Sequence, residues 1–209
     1  MAQNPVGALQ LFGIIAADSG ARSPAPDTSL VPFRAIAAVV APAAYQRPTL
    51  TDERIQAYAQ TVEEAFRYGP ILPAPPGTIF RSRSALGRWL ELHYVTLSDA
   101  LALVDGSSAA RVTVRLREEP ENDETVREWH LVATEIMRTL RGHASALSIL
   151  DSTPGDQKVV GLASFLIERD RWSAFEAAVA GEGKRHPSLE LGMTGPWPPY
   201  DFVKMLFTS

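Results

Sequence analysis

In the stretch Arg111-Val112-Thr113-Val114-Arg115-Leu116-Arg117, apolar and polar residues alternate without exception, and this pattern indicates the fold of the second half of the chain. Successive side chains of a β-strand point to opposite faces of a sheet, so this alternation predicts a strand with one buried and one solvated face. One solvated face is typical of antiparallel sheets, whereas parallel sheets are covered on both sides. The stretch therefore predicts an antiparallel sheet in this half.

The elements after this strand complete a β-α-β-β-α-β order. They are a helix with the apolar face Val126, Trp129, Ala133, Ile136 and Leu140, strands at 144–150 and 158–168, a helix capped by Asp170 and ended by Gly181 and Gly183, and a strand at 189–193. This order is the split βαβ, or ferredoxin-like, arrangement, in which both helices cover one face of a four-stranded sheet. The second half is therefore predicted to be a ferredoxin-like domain.

The sequence of the first half predicts a small mixed α/β domain. Its predicted elements are strands at 8–16 and 33–41, a loop at 17–30, a helix at 52–67, two short strands in the proline-rich crossing 70–80, and a helix that begins after Ser82 and ends at Asp105. The polar run Asp105-Gly106-Ser107-Ser108 is the candidate boundary. We expect an α+β fold with two domains, 1–106 and 107–209, the second ending in a C-terminal strap.

The stretch Thr194–Val203 contains prolines, a glycine and aromatic residues in the order Thr-Gly-Pro-Trp-Pro-Pro-Tyr-Asp-Phe-Val. Proline lacks the N–H that helix interiors and central strands need, so the stretch predicts a stiff ribbon. Two interpretations remain. Trp197, Tyr200 and Phe202 either fill a gap in their own domain, as a strap, or present a preformed surface to a partner. The apolar run 204–207 is expected to pack on the N-terminal half or on another subunit.

Composition excludes several classes of function. The 209-residue chain has a net charge of −4 at pH 7, which argues against binding to a nucleic acid backbone. It contains no cysteine, so disulfides and thiolate metal sites are excluded. No basic residue precedes the apolar run 11–17, and no apolar run approaches the roughly 20 residues that span a bilayer. We expect a cytoplasmic protein that does not bind nucleic acid or membranes.

Catalytic and cofactor motifs are not found in the sequence. The four histidines, His93, His130, His143 and His186, show no i, i+3 or i, i+4 pair that would hold a metal. The run Gly161–Phe165 lacks the closing glycine of a nucleophile elbow, and no glycine-rich phosphate loop occurs. We therefore expect no enzymatic activity, no cofactor, no metal and no small-molecule ligand.

Several stretches together resemble the gas vesicle protein family GvpF/GvpL. The run 191–203 is similar to the family's closing Thr-Gly-Pro-Trp-Pro-Pro-Tyr-x-Phe-Val signature, and 69–80 is similar to its Leu-Pro-x-x-x-Gly-Thr-Val-Phe crossing. The strand-to-helix junction 165–175 and the opening Leu11–Ile15 also fit. The chain departs from the family where Pro75-Pro76 replace a usual Arg-Phe, so charged contacts of those residues are not carried over.

The resemblance implies a non-enzymatic accessory protein that binds the hydrophobic shell protein of gas vesicles and prevents its aggregation during nucleation and assembly. Its implied partners are the shell protein and other accessory proteins, and its implied place is the gas vesicle. The alternative is a non-catalytic ligand-binding or regulatory ferredoxin-like module in a host without gas vesicles. Apolar residues of the crossing and the tail are the predicted partner-binding residues, namely Ile71, Leu72, Ile79, Phe80, Trp197, Tyr200, Phe202 and Phe207.

Overall fold

The computed structural model describes residues 7–18, 21–46, 48–120, 122–152 and 156–207. The chain divides into two compact units, one made of Met1–Gly106 with Pro198–Ser209 and the other of Ser107–Trp197. The predicted division placed all of 107–209 in one domain. That assignment is wrong for the last segment, because Pro198–Ser209 groups with the first unit, where Tyr200 packs on the apolar core and Phe207 packs on Trp89.

The first unit contains a five-stranded antiparallel sheet. Its strands are β1 (Leu9–Ala16), β2 (Ser29–Phe33), β3 (Ile36–Pro42), β4 (Ile71–Pro73) and β5 (Ile79–Phe80). Their order is β2-β3-β1-β4, and β5 pairs with the other end of β1. The β1 and β3 strands are buried almost throughout, as the alanine-rich sequence of β3 predicts for a strand packed on both faces.

Two helices complete this unit. Helix α1 (Asp52–Tyr68) begins at Thr51, whose hydroxyl accepts a hydrogen bond from the Arg54 backbone N–H. Helix α2 (Arg83–Val104) begins at Ser82, whose hydroxyl caps the Ala85 N–H in the same way. The side chains that α2 buries are Leu86, Leu90, Leu97, Leu101 and Val104, and those that α1 buries are Tyr58, Thr61, Val62 and Ala65.

Strand β2 lies partly in the segment that the composition predicted to be a loop. Pro32 within it argues against a central strand, but β2 is an edge of the sheet, where a missing N–H costs no ladder hydrogen bond. Its start is held by Thr28, whose hydroxyl donates to the Ala25 carbonyl and accepts from the Ala25 N–H. The strand was missed because edge strands carry weak sequence signals.

The second unit has the predicted β-α-β-β-α-β element order. It comprises β6 (Ser107–Leu116), α3 (Asp123–Arg141), β7 (Ala146–Ile149), β8 (Val159–Glu168), α4 (Trp172–Arg185) and β9 (Leu189–Trp197). The strands form one antiparallel sheet in the order β7-β8-β6-β9. One face of this sheet packs on the apolar sides of α3 and α4, around the buried rings of Phe165 and Phe175.

Two local predictions for this unit are wrong. Helix α4 continues through Gly181 and Gly183 to Arg185, because glycine lowers helix stability by only about 1 kcal/mol and does not interrupt the hydrogen-bond ladder. Asp170 does not cap α4, since a 3₁₀ turn at Arg169–Arg171 precedes the helix and the cap residue makes no side-chain hydrogen bond.

The proline-rich stretch begins inside the last strand. Strand β9 continues through Gly195-Pro196-Trp197, with a cis peptide bond before Pro196 and a register shift opposite Ala109–Arg111. A proline can occur within β9 because β9 is an edge strand of the sheet. Beyond it, Pro198 and Pro199 precede the short helix α5 (Tyr200–Val203), a position where no backbone donor is needed. A 3₁₀ turn at Lys204–Phe207 follows.

Candidate partner-binding site

An aromatic cluster forms on the first unit from residues that are distant in sequence. The Trp89 ring lies 5.5 Å from the Phe80 ring, 5.0 Å from the His93 ring and 5.7 Å from the Phe207 ring, measured between centroids. All four side chains are half-buried, so each ring is in contact with its neighbours and with solvent. We call Phe80, Trp89, His93 and Phe207 the aromatic cluster.

Three elements bring the cluster together. Phe80 ends β5 and is held opposite Leu9 of β1 by the sheet register. Trp89 and His93 are four residues apart on α2, a spacing that places their side chains on one side of the helix. Phe207 comes from the C-terminal 3₁₀ turn and stacks on Trp89, with the ring planes inclined by 18°. The cluster therefore depends on the tail being folded against the first unit.

The structure separates the predicted partner-binding residues into groups. Phe80 and Phe207 are in the aromatic cluster, and Ile79 is half-buried beside it in β5. Ile71 and Leu72 are fully buried in β4 and cannot present a surface, so their inclusion was an error. It arose because a three-residue strand is too short to show from its pattern which side chains face the core.

The remaining predicted residues lie at the C-terminal end. Tyr200, in α5, packs against the apolar core that contains Phe12 and Tyr58, and Phe202 on the same turn is half-buried. Trp197 belongs to β9 in the second unit, where 38% of its surface is exposed and its Nε1 donates to the Thr194 hydroxyl at 3.2 Å. The strap interpretation therefore suits Tyr200, whereas the Trp197 indole remains at the surface.

The hydroxyl group of Tyr58 lies in this core, and burial changes its pKa. Its ring stacks on Phe12 at 6.0 Å, and its hydroxyl donates a hydrogen bond to the Ala74 carbonyl oxygen. Burial raises the pKa of the Tyr58 hydroxyl well above its usual value, and the nearby Tyr200 raises it further. The hydroxyl stays protonated and acts as a donor that ties α1 to the residue after β4.

A groove of about 520 Å³ lies within the second unit, between α3 and the β7–β8 edge of the sheet. Its apolar wall includes Met137, Leu147 and Leu162, and its rim includes Arg138 and Arg141. Arg138 is paired with Glu135, and Arg141 donates to the Ala144 carbonyl oxygen, so both guanidinium groups are held by their own unit. The groove is thus lined by apolar side chains together with polar ones, among them His130, Asp151 and Ser152.

Two of the histidines contact polar groups of the second unit. His130 Nδ1 is 2.7 Å from the Val160 carbonyl oxygen, and His186 Nε2 is 3.7 Å from the buried carboxylate of Glu182. Across the described ranges, no group of three or more His, Asp or Glu residues is placed to hold a metal ion. No described helix is long and apolar enough to cross a membrane.

Trp89 and His93 are the cluster residues that the sequence did not mark as partner-binding. They lie beside the apolar stripe of α2, and their helical spacing is the signal that relates them to each other. No local signal relates them to Phe207, because more than a hundred residues of chain separate the two.

Comparisons with known proteins agree on one family. A family model described as gas vesicle synthesis protein GvpL/GvpF matches residues 11–133 and 127–204. Gas vesicle protein F2 of Halobacterium salinarum is 27% identical over 179 residues, covering 83% of this chain and 78% of the relative. Gas vesicle protein F of Haloferax mediterranei is 27% identical over 180 residues, covering 83% and 80%.

Two crystal structures share the fold. Gas vesicle protein GvpF from Anabaena sp. superposes with a TM-score of 0.76 at 15% identity, over 95% of this chain and 98% of the other. GvpF from Microcystis aeruginosa gives a TM-score of 0.74 at 14% identity, over 94% and 99%. The mixed α+β architecture with two antiparallel sheets is thus shared, and the resemblance seen in the sequence is confirmed: the chain belongs to the GvpL/GvpF family of gas vesicle synthesis proteins.

Proposed function

We propose that this protein is a non-enzymatic accessory factor of gas vesicles that binds the hydrophobic shell protein and keeps it from aggregating while the vesicle assembles. The observation that carries the accessory role is the family match, which extends over residues 11–133 and 127–204. Relatives of similar length named gas vesicle protein F support the same role. We place its action in the cytoplasm, at the growing vesicle.

We propose the aromatic cluster as the contact for the shell protein. A half-exposed group of large rings offers apolar area at a low cost in side-chain entropy, because aromatic side chains have few rotatable bonds. An apolar surface of this kind suits a partner that must keep its own apolar face from water until assembly. Phe80, Trp89 and Phe207 supply this surface, with Ile79 beside them.

We also propose that the second unit is a ferredoxin-like domain that serves as a scaffold. Its support is the element order and the sheet order β7-β8-β6-β9.

The test is co-expression of the full chain with the shell protein, followed by separation of soluble and insoluble fractions and affinity capture. We expect the wild type to keep shell protein soluble and bound. Phe80→Ser should reduce the captured shell protein several-fold, since it removes one of the large apolar rings of the cluster. Leu131→Ser is the matched control, because Leu131 is an exposed apolar residue of α3 in the other unit.

Two results would contradict the proposal. If the shell protein stays insoluble and unbound in the presence of the wild type, the chaperone-like role is wrong. If Phe80→Ser folds with an unchanged circular dichroism spectrum and captures as much shell protein as Leu131→Ser, the role stands but the site lies elsewhere.

A further inference from the structure

Helix α2 carries a second apolar stripe, on the side opposite its buried one. The stripe consists of Leu92, Val95 and Leu103, whose surfaces are 80%, 68% and 63% exposed. At 100° per residue these positions lie opposite Leu90 and Leu97, which are fully buried against the sheet. A helix that covers a sheet needs one apolar face, so the second requires another explanation.

Two charged residues lie on the same outward face. Arg88 precedes Leu92 by four residues, and Asp99 follows Val95 by four, so the apolar pair is bracketed by opposite charges. Both side chains are exposed, and neither forms an ion pair with any residue in the part of the chain that the structure describes. Along this outward face the residues therefore follow in the order Arg88, Leu92, Val95 and Asp99, with spacings of four, three and four residues.

We propose that α2 is a self-association surface, through which two copies of this chain pair with their α2 helices antiparallel. In this pairing Leu92 packs against Val95 of the second copy, and Arg88 lies opposite Asp99 of the second copy. A two-fold axis repeats each contact, because such an interface uses the same patch on both copies. The result is a central apolar layer of two leucines and two valines, with an ion pair at either end.

The charge pattern selects this orientation and register. A parallel pair in register would place Arg88 against Arg88 and Asp99 against Asp99, and like charges in contact are destabilising. Shifting the antiparallel pair by one turn would place Leu92 opposite Asp99, which removes a carboxylate from water without a partner. Of these three arrangements, only the symmetric register pairs Leu92 with Val95 and Arg88 with Asp99.

The expected affinity is modest. The facing segment 84–103 extends about 30 Å at 1.5 Å per residue, so the contact is essentially one helix pair. Contacts of this size fall below the standard protein interface and are typically transient, so we expect a Kd on the order of 10 μM. Such a dimer forms at raised local concentration and is independent of the proposed function of the aromatic cluster.

The test is sedimentation equilibrium of the full chain from low micromolar to submillimolar concentration. The wild type should show a monomer–dimer equilibrium. Arg88→Asp and Asp99→Arg should each weaken the dimer at least about tenfold, because each creates two like-charge contacts. An equimolar mixture of the two variants should form a heterodimer, and the doubly substituted chain R88D/D99R should recover the wild-type affinity.

The double substitution identifies the orientation, since it restores opposite charges in an antiparallel pair but not in a parallel one. Arg127→Asp, the same change at an exposed position of α3, is the control and should not alter the dimer. A wild type that stays monomeric throughout overturns the proposal, as does a double variant as weak as the single ones. So does a monomeric wild type whose shell-protein capture is lost in Leu92→Glu, because the stripe then binds a different partner.

Discussion

The ring of Phe207 stacks on the indole of Trp89, with centroids 5.7 Å apart, so the C-terminal turn is held by helix α2. Offset stacking of this kind contributes about 0.5–1.5 kcal/mol beyond the burial of apolar area. The contact makes the tail a structural part of the first unit and completes the aromatic cluster.

Replacing Phe207 by alanine should therefore destabilise the first unit. We expect Phe207→Ala to lower the free energy of unfolding by about 1–3 kcal/mol, from lost stacking and lost burial. Urea unfolding followed by circular dichroism measures the change. Tyr68→Ala is the control, because Tyr68 is an aromatic residue that is 71% exposed. Equal urea midpoints for the two variants would mean that the tail is not docked.

Tyr58→Phe should change stability in a pH-dependent manner. At neutral pH the variant loses the hydrogen bond to the Ala74 carbonyl oxygen, which is worth about 1 kcal/mol. Because the folded state raises the pKa of Tyr58 above its usual value of 10.0, the unfolded chain releases this proton first as the pH rises. Above pH 10 the wild type should therefore lose up to about 1.4 kcal/mol per pH unit through this group.

The Phe variant lacks this titration, so the stability gap between the two proteins should shrink from pH 9 to pH 11. Urea unfolding at both pH values measures the gap. A gap that is constant or widens would show that Tyr58 ionises as easily in the folded protein as in the unfolded chain.

Gly195→Ala should be strongly destabilising. Gly195 has φ +133°, a conformation that residues with a side chain rarely adopt, and an added Cβ would lie 2.7 Å from the Ala109 carbonyl oxygen and 2.9 Å from the Trp172 ring. We expect a loss of about 2–4 kcal/mol, measured by thermal or urea unfolding. Gly192→Ala, in the same strand, is the control, since no atom lies within 4 Å of its added Cβ. Equal losses at both positions would refute the steric argument.

Arg185→Ala should cost far more than a similar change at the surface. Arg185 pairs with Glu182, which is only 4% exposed, so removing the guanidinium leaves a buried carboxylate with His186 3.7 Å away. We expect a loss of about 1–3 kcal/mol. Arg138→Ala breaks an exposed pair with Glu135 at the same i, i+3 spacing and should have no measurable effect. Chemical unfolding of both variants measures the two losses in the free energy of unfolding. Equal losses would contradict the expected difference.

Elements with a local sequence signal could be predicted before the fold was known. Alternation in 111–117 predicted β6, Ser82 predicted where α2 begins, and apolar spacing predicted the buried face of α3. Each of these signals lies within a single helix or strand, because side-chain periodicity and capping act between residues that are close in sequence.

Features that depend on contacts between distant residues became visible only in the folded chain. Pro32 and Pro196 lie in strands because those strands are at the edges of their sheets. Ile71 and Leu72 are buried because of the position of their strand in the sheet. Packing places Pro198–Ser209 in the first unit instead of the second. The aromatic cluster belongs to this group, because Trp89 and Phe207 meet only when the chain has folded. Local periodicity predicts which residues are buried, but which residues they pack against depends on the folding of the whole chain.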